Sequence, residues 1–243
     1  MFSGFAASRP DSKISKQSFF FSVIANSLKF WIIIWSSSTG RYNKQTNDVC
    51  FMHTVRIPKV INFGENALGE TEYPKNALVV TTVPPALSDK WLAKMGIQDY
   101  MLYDQVKPEP SIDDVNTVIS QFKDKNPSVL IGLGGGSSMD VVKYAAPELK
   151  KEKILIPTTF GTGAEMTTYC VLKFDGKKKL LREDRFLADM AVVDSYFMDG
   201  TPEQVIKNSV CDACAQATEG YDSKLGNDLT RTLCKQAFEI LYD

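Results

Sequence analysis

Short apolar runs alternate with amphipathic stretches along the chain from residue 52 onward. "ALVVTT" (Ala77 to Thr82) is compact enough to fill a buried strand, and Pro85 then opens a helical segment carrying Leu87, Trp91, Leu92 and Met95 on one face. "YMLYD" predicts a second strand ending at Asp104. Ser111, with Asp114 three residues on, forms a capping-box pattern ahead of Val115, Val118, Ile119 and Phe122. "SVLIGLGGG" carries a third strand into glycines, Ser137 and Asp140 repeat the capping pattern, and the helix they open is expected to stop near Pro147. "KILIPTT" is a fourth strand. Strands alternating with amphipathic helices through tight links predict an α/β fold, a parallel sheet covered on both faces.

After Pro157 the pattern changes. Two strand-like runs in "TTYCVLKFDGKKKLL" flank Asp175-Gly176, a hairpin signal, and "MAVVD" (Met190 to Asp194) returns to the sheet. From Thr201 the chain reads as helical, ending in a segment with Leu233, Ala237, Ile240 and Leu241. Residues 1–51 differ from all of this, being rich in Ser, Phe and Trp, with an apolar stretch from Phe19 to Trp35. A signal peptide and a membrane span are both weakened by Asn26, Ser27 and Lys29 inside that stretch. The preferred reading is an N-terminal extension outside the fold, with Met52 as the natural start.

Composition narrows the chemistry. With 243 residues, 44% of them apolar, and a net charge of −1, the chain can bury a substantial core and has no basic surface suited to nucleic acid. Five cysteines without regular spacing argue against a disulfide framework and for a reducing compartment, the cytoplasm by default. A single histidine, His53, makes Ser-His-Asp, Cys-His or multi-histidine metal sites hard to assemble.

"GLGGGSSMD" (Gly132 to Asp140) lies where a strand ends and a helix begins, the place where bare backbone N–H groups and the helix dipole favour phosphate. It departs from the usual dinucleotide fingerprint, since Ser137 takes the third glycine's place. "PTTFGTGAE" (Pro157 to Glu165) follows the next strand, so two such loops would face one crevice beyond the sheet.

"GGGSSMDVVK", "IPTTFGTGAEMT", "AVVD" and "MDGTPEQVIKNSVCDACAQATEGY" resemble, in order and spacing, blocks of the iron-containing (group III) alcohol dehydrogenases, a family that includes lactaldehyde reductase. The resemblance covers residues 52–243 and implies a dehydroquinate synthase-like architecture. Residues 52–203 would form the NAD(P)-binding α/β domain, and 204–243 the beginning of an all-helical metal and substrate domain, incomplete in this chain. It assigns Gly135, Gly136 and Ser137 to the cofactor pyrophosphate, Thr158, Thr159 and Thr162 to the ribose and nicotinamide side, and Lys179 or its neighbour Lys178 to the ribose. Thr82 stands where NAD-preferring members carry an acidic residue; it loses that bond but does not repel a 2′-phosphate, so NADP is allowed. Glu109 stands where the family usually has Asn.

The resemblance also implies a divalent metal, Fe²⁺ or Zn²⁺, held by an Asp and a His four residues apart on one helix and by two later histidines. Here the Asp is Asp212, the His position is Gln216, and the chain ends before the later histidines. A Gln oxygen is a weak ligand for these ions. Cys211 and Cys214 flank Asp212 but read better as small core residues than as metal ligands. The expected function is NAD(P)-dependent interconversion of a small alcohol and its aldehyde or ketone, impaired in this chain. A metal-independent family offshoot and a non-catalytic nucleotide-binding remnant are the alternatives, and a homodimer is one option for assembly.

Overall fold

The structure, a computed structural model, describes residues 39–42, 49–52, 55–198, 201–224 and 226–242. The stretch from Phe19 to Trp35 and His53 lie outside the described residues. Strands β1 (Thr39–Tyr42) and β2 (Val49–Met52) pair antiparallel with each other in a sheet of their own.

The main sheet has six strands, all parallel: β3 (Val60–Phe63), β4 (Ala77–Thr81), β5 (Tyr100–Tyr103), β6 (Val129–Gly134), β7 (Glu152–Pro157) and β10 (Met190–Val193), in the order β3-β10-β7-β6-β4-β5. The four expected strands of the nucleotide-binding pattern and the return at "MAVVD" are all present. β3 was not expected. Its residues are exposed or half-buried, so no apolar run marks it. Non-local bonds hold it instead: the ladder to β10, the Val60 N–H to the Asp189 carbonyl, and Lys59 Nζ 2.6 Å from Asp189 Oδ1.

Each central strand divides its side chains between two cores, as the period of two requires. Leu78, Val80, Leu130 and Leu155 face one side, packing with helices α3 (Ile112–Phe122) and α4 (Gly136–Glu148) and the hairpin β8 (Tyr169–Phe174) and β9 (Lys177–Arg182). Val79, Ile131, Leu133, Ile154 and Ile156 face the other, under α1 (Ala67–Glu70) and α2 (Pro85–Met95). In α2 the buried face is Ser88, Leu92 and Met95; Leu87, expected on it, is 48% exposed. Asp175 and Gly176 both adopt positive φ, as a tight hairpin turn demands. Helices α5 (Glu203–Asp222) and α6 (Asp228–Tyr242) pack against each other after the sheet. No described helix is long and apolar enough to cross a membrane.

The Ser111–Asp114 capping box is formed in both directions. The second box is not. α4 is N-capped by Gly135 without a side-chain bond, Ser137 falls within its first turn, and Asp140 is buried a turn further on. The reason lies in Gly134, whose φ of +148° turns the chain sharply enough for the helix to begin almost where the strand ends. The helix also runs through Pro147 to Glu148 before it stops.

Close packing of α4 on β6 depends on Gly132. A Cβ there would come within 3.0 Å of Leu155 Cδ2 and 3.3 Å of the Met139 Cα. Gly132→Val should therefore cost about 1–3 kcal/mol of stability by overpacking, read from urea denaturation; an unchanged midpoint would show that α4 can move away from the sheet freely.

Candidate functional site

The chain leaves β4 outward to β5 and then returns to β6 on the other side of β4, so the strand order reverses there and a crevice opens beyond the carboxyl ends of β4 and β6. The glycine loop fills that position. Gly134 is held by its φ and by space: a Cβ would lie 2.6 Å from Ser138 Oγ. Ser138, fully buried, accepts from the Thr82 N–H at 3.0 Å and so fastens the end of β4 to the first turn of α4. The next loop is fastened too, since the Thr158 N–H donates to the Gly134 carbonyl at 3.0 Å.

These ties bring Gly135, Gly136, Ser137, Thr158 and Thr159 to one edge. A Cβ on Gly135 would sit 3.1 Å from Thr159 Oγ1, whereas one on Gly136 would meet nothing within 4 Å. Gly136 is thus the glycine that faces the open crevice, while Gly135 keeps the two loops close. Thr162 is exposed, and its Oγ1 accepts from the Ala164 N–H at 3.4 Å, within its own turn. Lys179 lies on the hairpin with its ammonium 5.1 Å from the Phe174 ring. It is Lys178 that links the hairpin to the glycine loop: its Nζ is 2.5 Å from Glu109 Oε1, and the Glu109 N–H donates to Ser137 Oγ at 3.3 Å.

Glu109 was read from sequence as a substitution only. The structure gives it a left-handed φ of 54° between two prolines, a conformation that disfavours a long side chain by roughly 1–3 kcal/mol. Lys173 Nζ, 2.7 Å from Oε2, adds a second cation, and hydrogen bonds from both lysines hold the carboxyl down at about 2.

Beneath the loop, Asp140 and Lys143 are both buried. Lys143 Nζ donates to Thr167 Oγ1 and to the Tyr169 carbonyl, each at 2.8 Å, and so ties α4 to the start of the hairpin. Burial lowers its pKa. Burial raises Asp140 to about 6, against the opposing pull of Lys143 and the Val171 backbone donor. Cys170 donates to the Asp140 carbonyl, and burial pushes its thiol up, so it is not a poised nucleophile.

On the far side, Gly161 seats the second loop against α5. At φ +147°, a Cβ would lie 2.9 Å from the Ser209 carbonyl and 3.1 Å from Asp212 Oδ2. Asp212 is therefore at the mouth of the same crevice. Gln216 Nε2 donates to Asp212 Oδ1 at 3.1 Å, which leaves Gln216 Oε1 buried without a partner. Cys211 is exposed and Cys214 half-buried, and neither forms a disulfide. Among the described residues, no three His, Cys, Asp or Glu come together as a metal cluster.

A glycine turn and helix N-terminus at the switch point of a parallel sheet, with a helix-borne Asp beside it, define an α/β protein with a crevice of the kind that receives a dinucleotide. The family model for iron-containing alcohol dehydrogenase matches residues 58–195, and the chain belongs to that family. It is 32% identical over 149 residues to 1-propanol dehydrogenase of Salmonella typhimurium, covering 58% of this chain and 40% of that protein. With long-chain-alcohol dehydrogenase 1 of Geobacillus thermodenitrificans it shares 31% over 200 residues, 69% of this chain and 49% of the relative. The chain thus spans about half the length of the curated relatives it matches. The crystal structure of sulfoacetaldehyde reductase from Bifidobacterium kashiwanohense, a complex with NAD⁺, shares the fold at a TM-score of 0.62 and 19% identity, over 79% of this chain and 66% of that one.

Members of the family use NAD(P) and iron. The glycine loop fits the first. The metal-side residues do not fit the second: one carboxylate and one amide, already bonded to each other, are too few and too weak to hold Fe²⁺ or Zn²⁺.

Two measurements check this geometry. Gly161→Ala should cost about 1–3 kcal/mol in urea denaturation, since its backbone conformation and the Ser209 carbonyl both oppose a side chain. Asp140, raised above its ordinary value of 3.8, contributes stability that is present below 3.8 and lost as pH rises through about 6. Relative to wild type, Asp140→Asn should therefore gain up to about 3 kcal/mol between pH 4 and pH 7; melting curves that stay parallel across that range would refute the assignment.

Proposed function

We propose that this chain is the nucleotide-binding part of an NAD(P)-dependent oxidoreductase acting on a small alcohol or the corresponding aldehyde or ketone. The observation that carries the reading is the glycine turn at the strand-order reversal, with Gly136 facing open space and Ser138 and Thr158 fixing the loops on either side. Backbone donors at the start of α4 would receive the pyrophosphate, and Thr158 and Thr159 would lie along the ribose and nicotinamide side. NAD⁺ in the sulfoacetaldehyde reductase structure and the alcohol dehydrogenase names of the relatives support the cofactor and the substrate class. The irregular cysteines support a reducing compartment, the cytoplasm.

In alcohol oxidation, hydride leaves the carbinol carbon for the nicotinamide ring while the oxygen loses its proton, and negative charge on that oxygen needs a partner. Asp212 repels it, and the Gln216 amide N–H is directed at Asp212. Nucleotide binding is therefore the function this part of the molecule supports by itself. Metal-dependent turnover requires ligands beyond Asp212 and Gln216.

Calorimetry with NADH and NADPH on the full chain tests the crevice. Gly136→Val should abolish binding while leaving the melting temperature near wild type, and Gly135→Val should abolish it by forcing Thr159 away; unchanged affinity in both would refute the site. An anaerobic assay with Fe²⁺ or Zn²⁺ over short alcohols and diols should show turnover at least about 10³-fold below an intact metal enzyme, because several kcal/mol of charge stabilisation is missing. Robust metal-dependent turnover would contradict this.

A further inference from the structure

We propose that the hairpin of α5 and α6 is a dimerisation surface, on which a second copy of this chain packs its own hairpin to complete a four-helix bundle. The buried positions of the hairpin are all small: Ala213, Ala217 and Gly220 on α5, Thr230, Cys234 and Ala237 on α6. Helices that meet through such residues leave their larger side chains at the margins, and Tyr221 is 47%, Phe238 43% and Leu229 52% exposed. Tyr221 and Phe238 stand on the two sides of a groove whose floor is Ala217 and Cys234. Among the described elements, α6 has its main packing on α5, so a helix of 15 residues is supported from one side only. Amphipathic helices take most of their stability from the neighbours that cover their apolar face.

The charges on the rim say what covers this one. Asp222 lines the groove from α5, and Lys235 and Glu239 line it from α6. Lys235 and Glu239 are a turn apart and 3.8 Å from each other, both largely exposed, and lysine before glutamate is the weaker order for a pair within one helix. A two-fold axis crossing α6 near Ala237 sets that helix antiparallel to its copy, which brings Lys235 opposite Glu239 of the second copy and Glu239 opposite Lys235. The face is thus its own complement, with Phe238 beside the axis in the apolar centre. By helical periodicity Asp212 and Gln216 lie on a different flank of α5 from Thr218 and Tyr221, so the bundle leaves the crevice open.

Sedimentation velocity on the full chain tests this. Wild type should be a dimer at tens of micromolar, and Phe238→Glu should be monomeric there with its helical circular dichroism unchanged. Lys235→Glu and Glu239→Lys each set like charges opposite one another, and each alone should weaken the dimer by on the order of tenfold. Mixed in equal amounts, the two variants should recover to within about threefold of wild type, because every facing pair is then of opposite sign. A contact inside one helix cannot produce that recovery. Monomeric wild type overturns the inference and leaves the groove to a helix of another protein. A dimer that survives Phe238→Glu, or charge variants that do not weaken it alone and recover together, puts the interface elsewhere and overturns the inference as well. Should Phe238→Glu lose helicity, the mixing experiment decides by itself.

Discussion

The close approach of α4 to the carboxyl edge of the sheet is the constraint on which the rest depends. It exists because Gly132 and Gly134 carry no side chains: one lets Met139 and Leu155 close over the strand, the other lets Ser138 reach back to Thr82. With the helix start fixed, the Gly134 carbonyl is placed to accept from Thr158, and the second loop follows. That loop, through Gly161, seats α5 and brings Asp212 to the crevice. Small residues thus set the close approaches from the sheet to the helical part, and Phe160 of the second loop and Val210 of α5 pack in the same core beside them.

Charge buried beneath the loop does a complementary job. Among the described residues, Lys143 has no carboxylate at hydrogen-bonding distance; its bonds go to a threonine hydroxyl and a backbone carbonyl. Removing its ammonium from water carries a desolvation penalty, which those fixed bonds and the nearby Asp140 offset. The arrangement gives direction rather than affinity: a buried lysine bonded across from α4 to the start of the hairpin holds the two together. The same hairpin carries Lys173 and Lys178 to Glu109, so the buried and exposed charges act on one element from its two sides.

Much of the sheet was legible because its central strands are fully buried and therefore appear as uninterrupted apolar runs. β3 escaped because it is an edge strand held by β10 and by Asp189, which lies 130 residues from its partner Lys59. Local pattern also misassigned Ser137 and Asp140 as a cap, since their spacing is right and only the φ of Gly134 shows that the helix has already begun. At the site, residue types announced the glycine turn, but the division of roles between Gly135 and Gly136 and the ion pairs of Glu109 depend on where neighbouring strands end, which spacing along one chain does not encode.

Gln216 shows how a single change separates the two halves of the family's chemistry. An imidazole four residues after Asp212 would turn the helix face toward a cation, and the carboxylate would then be compensated by it. The amide instead turns inward and donates to Asp212, which satisfies one carboxylate oxygen and orphans its own carbonyl. The helix is seated by the close approach of Gly161 to the Ser209 backbone and by the packing of Val210 on the core. The loop geometry does not depend on Gln216, whereas stabilising charge on a substrate oxygen would depend on the ligand set. The fold of the glycine crevice and the ligand set at Asp212 therefore rest on different residues, which meet in space where Gly161 approaches α5.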